Sequence, residues 1–340
     1  MSNYKKILEY RSHLMGLAIL WVVFYHMPIN ITNPALRFVW ETGYGGVDIF
    51  FFLSGIGVYY SLQKNTTEVF YRRRLKRIMP AYLPIVTITF VLYNWQNWQG
   101  LSFAVLVDMV KQLAGNIFMV GWFNHVNGQF NWYVQAVMWF YLVAPLLLST
   151  IRKVAFDKKK ILCFWAVVFF MQVPFFDTDI HKMPARLLIF ILGIWVAKYF
   201  EEDACDRVMP ALKYIALLCG VAILALTYYV VPDWLSMYGL YWYPFVLIVP
   251  GVCVLFTRVF EGMKGNRALN AISGCLACIG KASFEVYLIH ILLFEYILKP
   301  IGVQGGISWT LGALGAIVMG CGYQTFIHRM RGEKHDKFRT

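Results

Sequence analysis

The sequence predicts an all-α integral membrane protein, a bundle of about ten transmembrane helices with both termini cytoplasmic. Three observations carry that reading. The 340 residues are 59% hydrophobic and 18% aromatic but only 14% charged, where a soluble domain averages about 25% charge. The apolar residues gather into runs of about 20, the length that crosses a hydrocarbon core about 30 Å thick. The Lys and Arg residues fall almost wholly on one side of those runs.

The runs, in chain order, are 12–30, 44–63, 78–96, 131–150, 161–176, 184–200, 211–231, 238–258, 283–299 and 306–327. The first follows a polar, charged N-terminus and lacks a small-residue cleavage site, so it is expected to stay as a span. Residues 101–124 are apolar but interrupted by Asp108 and Lys111, which fits an amphipathic helix at the membrane surface better than an eleventh span. With the N-terminus inside, 26 of the 31 Lys and Arg face the cytoplasm, leaving Arg37, Lys111, Lys182, Arg186 and Lys299 outside. The net charge of +13 is thereby a topology signal, and no nucleic-acid partner is expected. No internal repeat or soluble appendage is visible. The chain is read as one domain over 1–340, with a core from 8 to 327 and a basic tail from 328.

The seven cysteines show no framework spacing; Cys275 and Cys278 form a lone CxxC, read as small packing residues. No metal-ligand spacing, P-loop or dinucleotide fingerprint occurs. The outer connection 97–130 is rich in Trp, Asn and Gln, as an interfacial aromatic belt or a sugar-binding surface would be.

The most informative stretch runs from Gly45 to Pro80. It admits a lone acid, Asp48, to an apolar run, where a carboxylate is costly and is by default a functional candidate. It leaves that run through Arg72, Arg73, Arg74, Lys76 and Arg77, read as a connection ahead of a helix starting at Pro80. Arg73, Arg74 and Arg77 stand at helical spacing and can grip phosphate through paired N–H groups. A nucleotide-like ligand such as coenzyme A is expected there, with anionic lipid heads the alternative.

His26 lies fourteen residues into the first span, about 21 Å along it at ~1.5 Å per residue, and Asp48 about 6 Å into the second from the opposite direction. The two reach similar depth on adjacent spans. A carboxylate beside a histidine fixes its tautomer and stabilises the imidazolium, which is what a general base needs. A packing histidine and a helix N-cap are the bland alternatives. Ser54 lacks the strained elbow of a nucleophile. Glu285 and His290, five apart, are expected around one cavity.

Taken together, LMGLAILWVVFYH, GGVDIFFFLSG, FYRRRLKRIMPAY, WYVQAVMWFYLVAPLL and GKASFEVYLIH resemble the successive signatures of the acyltransferase 3 family of membrane O-acyltransferases. The resemblance runs from about residue 8 to 300. It implies ten core spans, an acyl-CoA donor on the cytoplasmic side and an acceptor hydroxyl, commonly on a cell-surface glycan. It nominates His26 as the catalytic histidine, Asp48, Phe50, Phe51, Ser54 and Gly55 as site-forming, and Arg73, Arg74 and Arg77 as contacts to CoA phosphates. Two positions depart from the family pattern: Met15 stands for an arginine eleven residues before the histidine, and Val137 for a glutamate. Arg11, one turn before Met15, is expected to lean away from His26.

The function expected is transfer of an acyl group, acetyl in the first instance, from acyl-CoA to a hydroxyl of a surface or lipid-linked glycan at the bacterial cytoplasmic membrane. Acyl-CoA is a substrate here, with no bound cofactor and no metal. The competing class is a permease for a glycan or lipid-linked intermediate, which would be expected to carry an inverted repeat.

Overall fold

The computed structural model describes residues 5–95, 102–121, 130–154, 158–175, 181–201, 212–233 and 238–332. The regular elements among these residues are all helices, with no strand. Five helices are long and apolar enough to cross a membrane, within Gly43–Lys64, Thr67–Tyr93, Trp132–Val154, Pro244–Met263 and Gly306–Met330. A sixth crossing is available if Arg267–Lys281 and Ser283–Leu298, bent by 72° at their junction, act as one broken span.

The helix at the centre is α4, Gly46–Lys64. Its apolar residues show no preferred face, and thirteen positions from Gly46 to Tyr59 are buried, as expected of a helix surrounded on all sides. Around it pack α2 (Arg11–His26), α7 (Trp132–Val154), α9 (Lys182–Glu201) and α11 (Pro244–Met263). The short α1 (Lys5–Glu9) is tied to α11 by a Lys6–Glu261 ion pair of 2.6 Å. Packing of α9 on α4 is drawn close by two glycines. A Cβ on Gly55 would collide with the Phe190 carbonyl oxygen, and one on Gly193 with that of Phe52, the close approach that small residues permit between apolar helices.

Between α2 and α4 stands α3 (Pro34–Glu41), capped by the Asn33 side chain accepting from the Leu36 N–H at 3.0 Å and started by Pro34. The basic cluster belongs to α5, which runs unbroken from Thr67 to Tyr93 with Pro80 and Pro84 inside it. The expected helix start at Pro80 is therefore corrected. A proline is tolerated inside a membrane-type helix where neighbouring helices and small local adjustments re-satisfy the freed backbone groups.

The ambiguous segment 101–124 holds α6 (Phe103–Ile117), amphipathic as expected. Asp108 and Lys111 pair on its exposed side, while Gln112 and Asn116 are buried in an amide network with Asn94 and Gln135. Next come α8 (Lys158–Phe170) and α10 (Leu212–Tyr229). The stretch between the eighth and ninth runs, read as a connection, folds as α12 (Arg267–Lys281). It lies along α2 because Gly16 and Gly280 admit the Leu276 and Ser12 carbonyls. Cys275 and Cys278, read as small packing residues, lie exposed on α12. The chain closes with α13 (Ser283–Leu293), a π-turn over Phe294–Leu298, and α14 (Gly306–Met330).

Candidate active site

Three chain ends converge on one cavity: the C-terminus of α2, the first turn of α4 and the first turns of α9. The cavity measures about 1120 Å³ and is lined by His26, Arg186 and the rings of Tyr25, Tyr44, Trp132 and Trp242, with Arg37, Glu41, Tyr228 and Asp233 nearer its rim. His26 is half-buried, and its Nδ1 lies 2.8 Å from the Val22 carbonyl oxygen one turn earlier. A carbonyl only accepts, so Nδ1 carries a proton, and in the neutral imidazole Nε2 keeps its lone pair. The His290 ring, fully buried, stands edge-on to His26 at 5.0 Å.

Asp48 sits one turn inside α4, 1% exposed. Its partner is Arg186, whose Nε lies 3.7 Å from Asp48 Oδ1. The expected Asp48–His26 pair does not form among the described residues. The tautomer of His26 is set within its own helix by Val22, and the buried carboxylate is matched instead by a full positive charge, which offsets its desolvation better than a neutral imidazole can. The guanidinium is further held by a hydrogen bond from Nη1 to the Lys182 carbonyl oxygen at 3.1 Å, and by the faces of Trp132 and Trp242 at 5.0 and 5.4 Å. Asp48 Oδ2 and Arg186 Nε remain without hydrogen-bond partners.

Sequence reasoning missed Arg186, which it counted only as an outer cation. A signal was present. Arg186 heads the apolar run ARLLIFILGIW and stands seven residues before Gly193, as Asp48 stands seven before Gly55. Seven residues are nearly two turns, so each charge shares a helix face with its glycine and lies about 10 Å from the crossing point. Two helices in parallel contact at those glycines must bring the charges level.

A second cluster occupies the opposite end of the bundle. Arg77 pairs with buried Glu285 at 3.3 Å, and its carbonyl accepts from Arg331 at 2.8 Å. Arg74 lies over the Tyr141 and Phe70 rings at 4.7 and 5.2 Å, while Arg73 is exposed. Arg11 falls within electrostatic reach of Arg74 and Arg77 and has its Nε buried without a partner. Arg11 thus leans away from His26, as expected, but toward the cations. Met15 and Val137, the two departures, pack into the core.

Glu285 and His290 lie five residues apart on α13; Glu285 pairs with Arg77 and His290 stands against His26, and neither lines the His26 cavity. The interval between the poles is aromatic: Phe50 and Phe51 meet Tyr133 at 5.8 and 5.1 Å, and Tyr133 meets Tyr287, which itself lines the His26 cavity. Ser54 lies 3.5 Å from the Tyr141 hydroxyl and Gly55 at the α9 crossing. The Trp- and Asn-rich residues 122–129 lie outside the described residues.

Long apolar helices enclose a polar cavity whose wall carries the His26 imidazole and Arg186, the cation of the buried ion pair. The family model described as an acyltransferase domain matches residues 13–323, and the chain belongs to that acyltransferase 3 family. It is similar to the O-acetyltransferase OatA of Staphylococcus aureus strains NCTC 8325 / PS 47 and COL, at 23% identity over 86% of this chain and 51% of the relative. It is also similar to the acyltransferase MdmB of Streptomyces mycarofaciens, at 23% identity over 84% of this chain and 78% of the relative. The chain spans about half the length of the OatA proteins. No solved structure matches it.

Proposed function

We propose that the chain is a membrane O-acyltransferase that moves an acetyl group from acetyl-CoA to a hydroxyl of a cell-surface or lipid-linked glycan. The observation that carries this is His26, whose Nε2 lone pair is free and whose ring lines the large cavity. A base must reach the hydroxyl proton it removes, and His26 is the neutral base so placed. The relatives' names, O-acetyltransferase and acyltransferase, favour an acetyl donor for this chain.

In this reading the bundle crosses the bilayer ten times with both termini in the cytoplasm. Arg73, Arg74 and Arg77 then receive the phosphates of CoA at the inner face, and the aromatic interval of Phe50, Phe51, Tyr133 and Tyr287 accommodates the pantetheine arm. The acyl group thereby reaches His26 at the outer cavity. There, tyrosine and tryptophan faces interleaved with Arg37, Glu41 and Asp233 suit a sugar, which offers both apolar C–H faces and hydroxyls. Direct attack by the acceptor hydroxyl is favoured over a seryl acyl-enzyme, because Ser54, the serine of GGVDIFFFLSG, stands beside Tyr141 and does not line the His26 cavity.

The test uses the full chain in lipid nanodiscs with labelled acetyl-CoA and envelope extract from the expressing cells, reading label in base-labile ester. Wild type should transfer label and His26→Ala should not, with the variant still inserted and binding acetyl-CoA. A fully active His26→Ala protein would sink the reading.

A further inference from the structure

We propose that Arg186 is a catalytic residue, the cation that stabilises the oxyanion formed when the hydroxyl adds to the thioester. This rests on the acyl-transfer reading and extends it. As the acceptor oxygen bonds to the carbonyl carbon, the C=O π pair moves onto oxygen and the hydroxyl proton goes to His26 Nε2. Collapse of that intermediate returns the pair, breaks the C–S bond and leaves the electrons on sulfur, which takes the proton back from His26. The charge on oxygen needs a fixed positive group in a water-poor site, where preorganised charge acts most strongly.

Among the described residues, three cations line the cavity: Arg37, Lys182 and Arg186. The Arg37 side chain is 58% exposed and bound to Glu41 at 2.9 Å, so its charge is screened and committed. Lys182 is half-buried at the first position of α9 and is a compact point charge without a planar fork of donors. Arg186 is 2% exposed and fixed from four sides by Asp48, the Lys182 carbonyl and the two tryptophans. Its Asp48 contact at 3.7 Å is longer than a hydrogen bond, and Nε has no acceptor. A guanidinium so held has donor capacity left over while its position is already determined. It also shares its cavity wall with the base, as an oxyanion partner must.

The competing explanation is that Asp48 and Arg186 merely clasp α4 to α9. Neutralising both together separates the two, because it leaves no unpaired buried charge. The nanodisc assay is run at saturating acetyl-CoA with Arg186→Gln, Arg186→Lys and the double variant Asp48→Asn/Arg186→Gln, each over a range of envelope extract. We expect the double variant to melt within a few degrees of wild type, to bind acetyl-CoA within about twofold, and to lose turnover by about 10²-fold or more, the cost of removing an oxyanion donor. Arg186→Lys should recover part of that turnover. Near wild-type turnover in the double variant would establish the clasp and overturn the proposal. So would a loss in Arg186→Gln that excess extract restores, which would make Arg186 an acceptor-binding group. Failure of the acyl-transfer reading has a different signature: wild type itself would transfer no label, or His26→Ala would match it.

Discussion

A carboxylate buried in an apolar bundle must meet a cation, and Asp48 meets Arg186 where the sequence suggested His26. Depth alone was readable from the chain: His26 falls at the C-terminal end of α2, and Asp48 near the N-terminal end of α4 that follows it. Which of them touch depends on how the helices are rotated, and hydropathy carries no such information for α4, which is apolar on every side. Removing one member of a buried pair leaves the other uncompensated, at about 3–5 kcal/mol. Asp48→Asn alone should therefore lower the melting temperature in detergent more than Asp48→Asn/Arg186→Gln does; equal losses would contradict the pairing. At the other pole, Arg77→Ala would strand buried Glu285 at roughly 1–3 kcal/mol, whereas Arg73 is exposed and has no such obligation. Arg73→Ala should weaken acetyl-CoA binding with stability unchanged, and Arg77→Ala should reduce both. Calorimetric titration beside a melting curve distinguishes the two.

At the scale of elements, the two poles are joined by helices that each touch both. Helix α4 carries Asp48 at one pole and Ser54 toward the other; α13 carries His290 and Glu285 in the same way. The register between α4 and α9 is set by Gly55 and Gly193, and a methyl group at either contact overpacks it, a cost of about 1–3 kcal/mol. Gly55→Ala should destabilise the protein and depress turnover by separating Asp48 from Arg186. Gly57→Ala, on the same helix with no atom within 4 Å of its Cβ position, should do neither. Most helices were legible as apolar runs of the right length. The exceptions have physical causes: Pro80 ends helices in water but lies inside α5, and α12 lacks an unbroken apolar run because it buries one stripe, along α2.

For the whole molecule, the reading requires that the Arg77 pole face the cytoplasm and the His26 cavity face outward. The expectation of that orientation comes from the split of basic residues in the sequence, while the number of crossings was less legible there. The sixteen-residue α2 and thirteen-residue α8 are shorter than a standard span. In a cysteine-free background, Gln63→Cys and Lys159→Cys should resist an impermeant thiol reagent applied to intact cells, while Leu36→Cys on exposed α3 should react. Labelling at Gln63→Cys would reverse the orientation and with it the route of the donor.

The central claim is that the protein transfers an acetyl group to a surface glycan with His26 as the general base, and mass spectrometry of envelope glycans tests it most directly. Cells lacking the gene are compared with the same cells carrying wild type or His26→Ala. The account predicts that deletion removes one acetyl mass from a glycan species, that wild type restores it, and that His26→Ala does not. Glycans of identical mass in all the strains would contradict it.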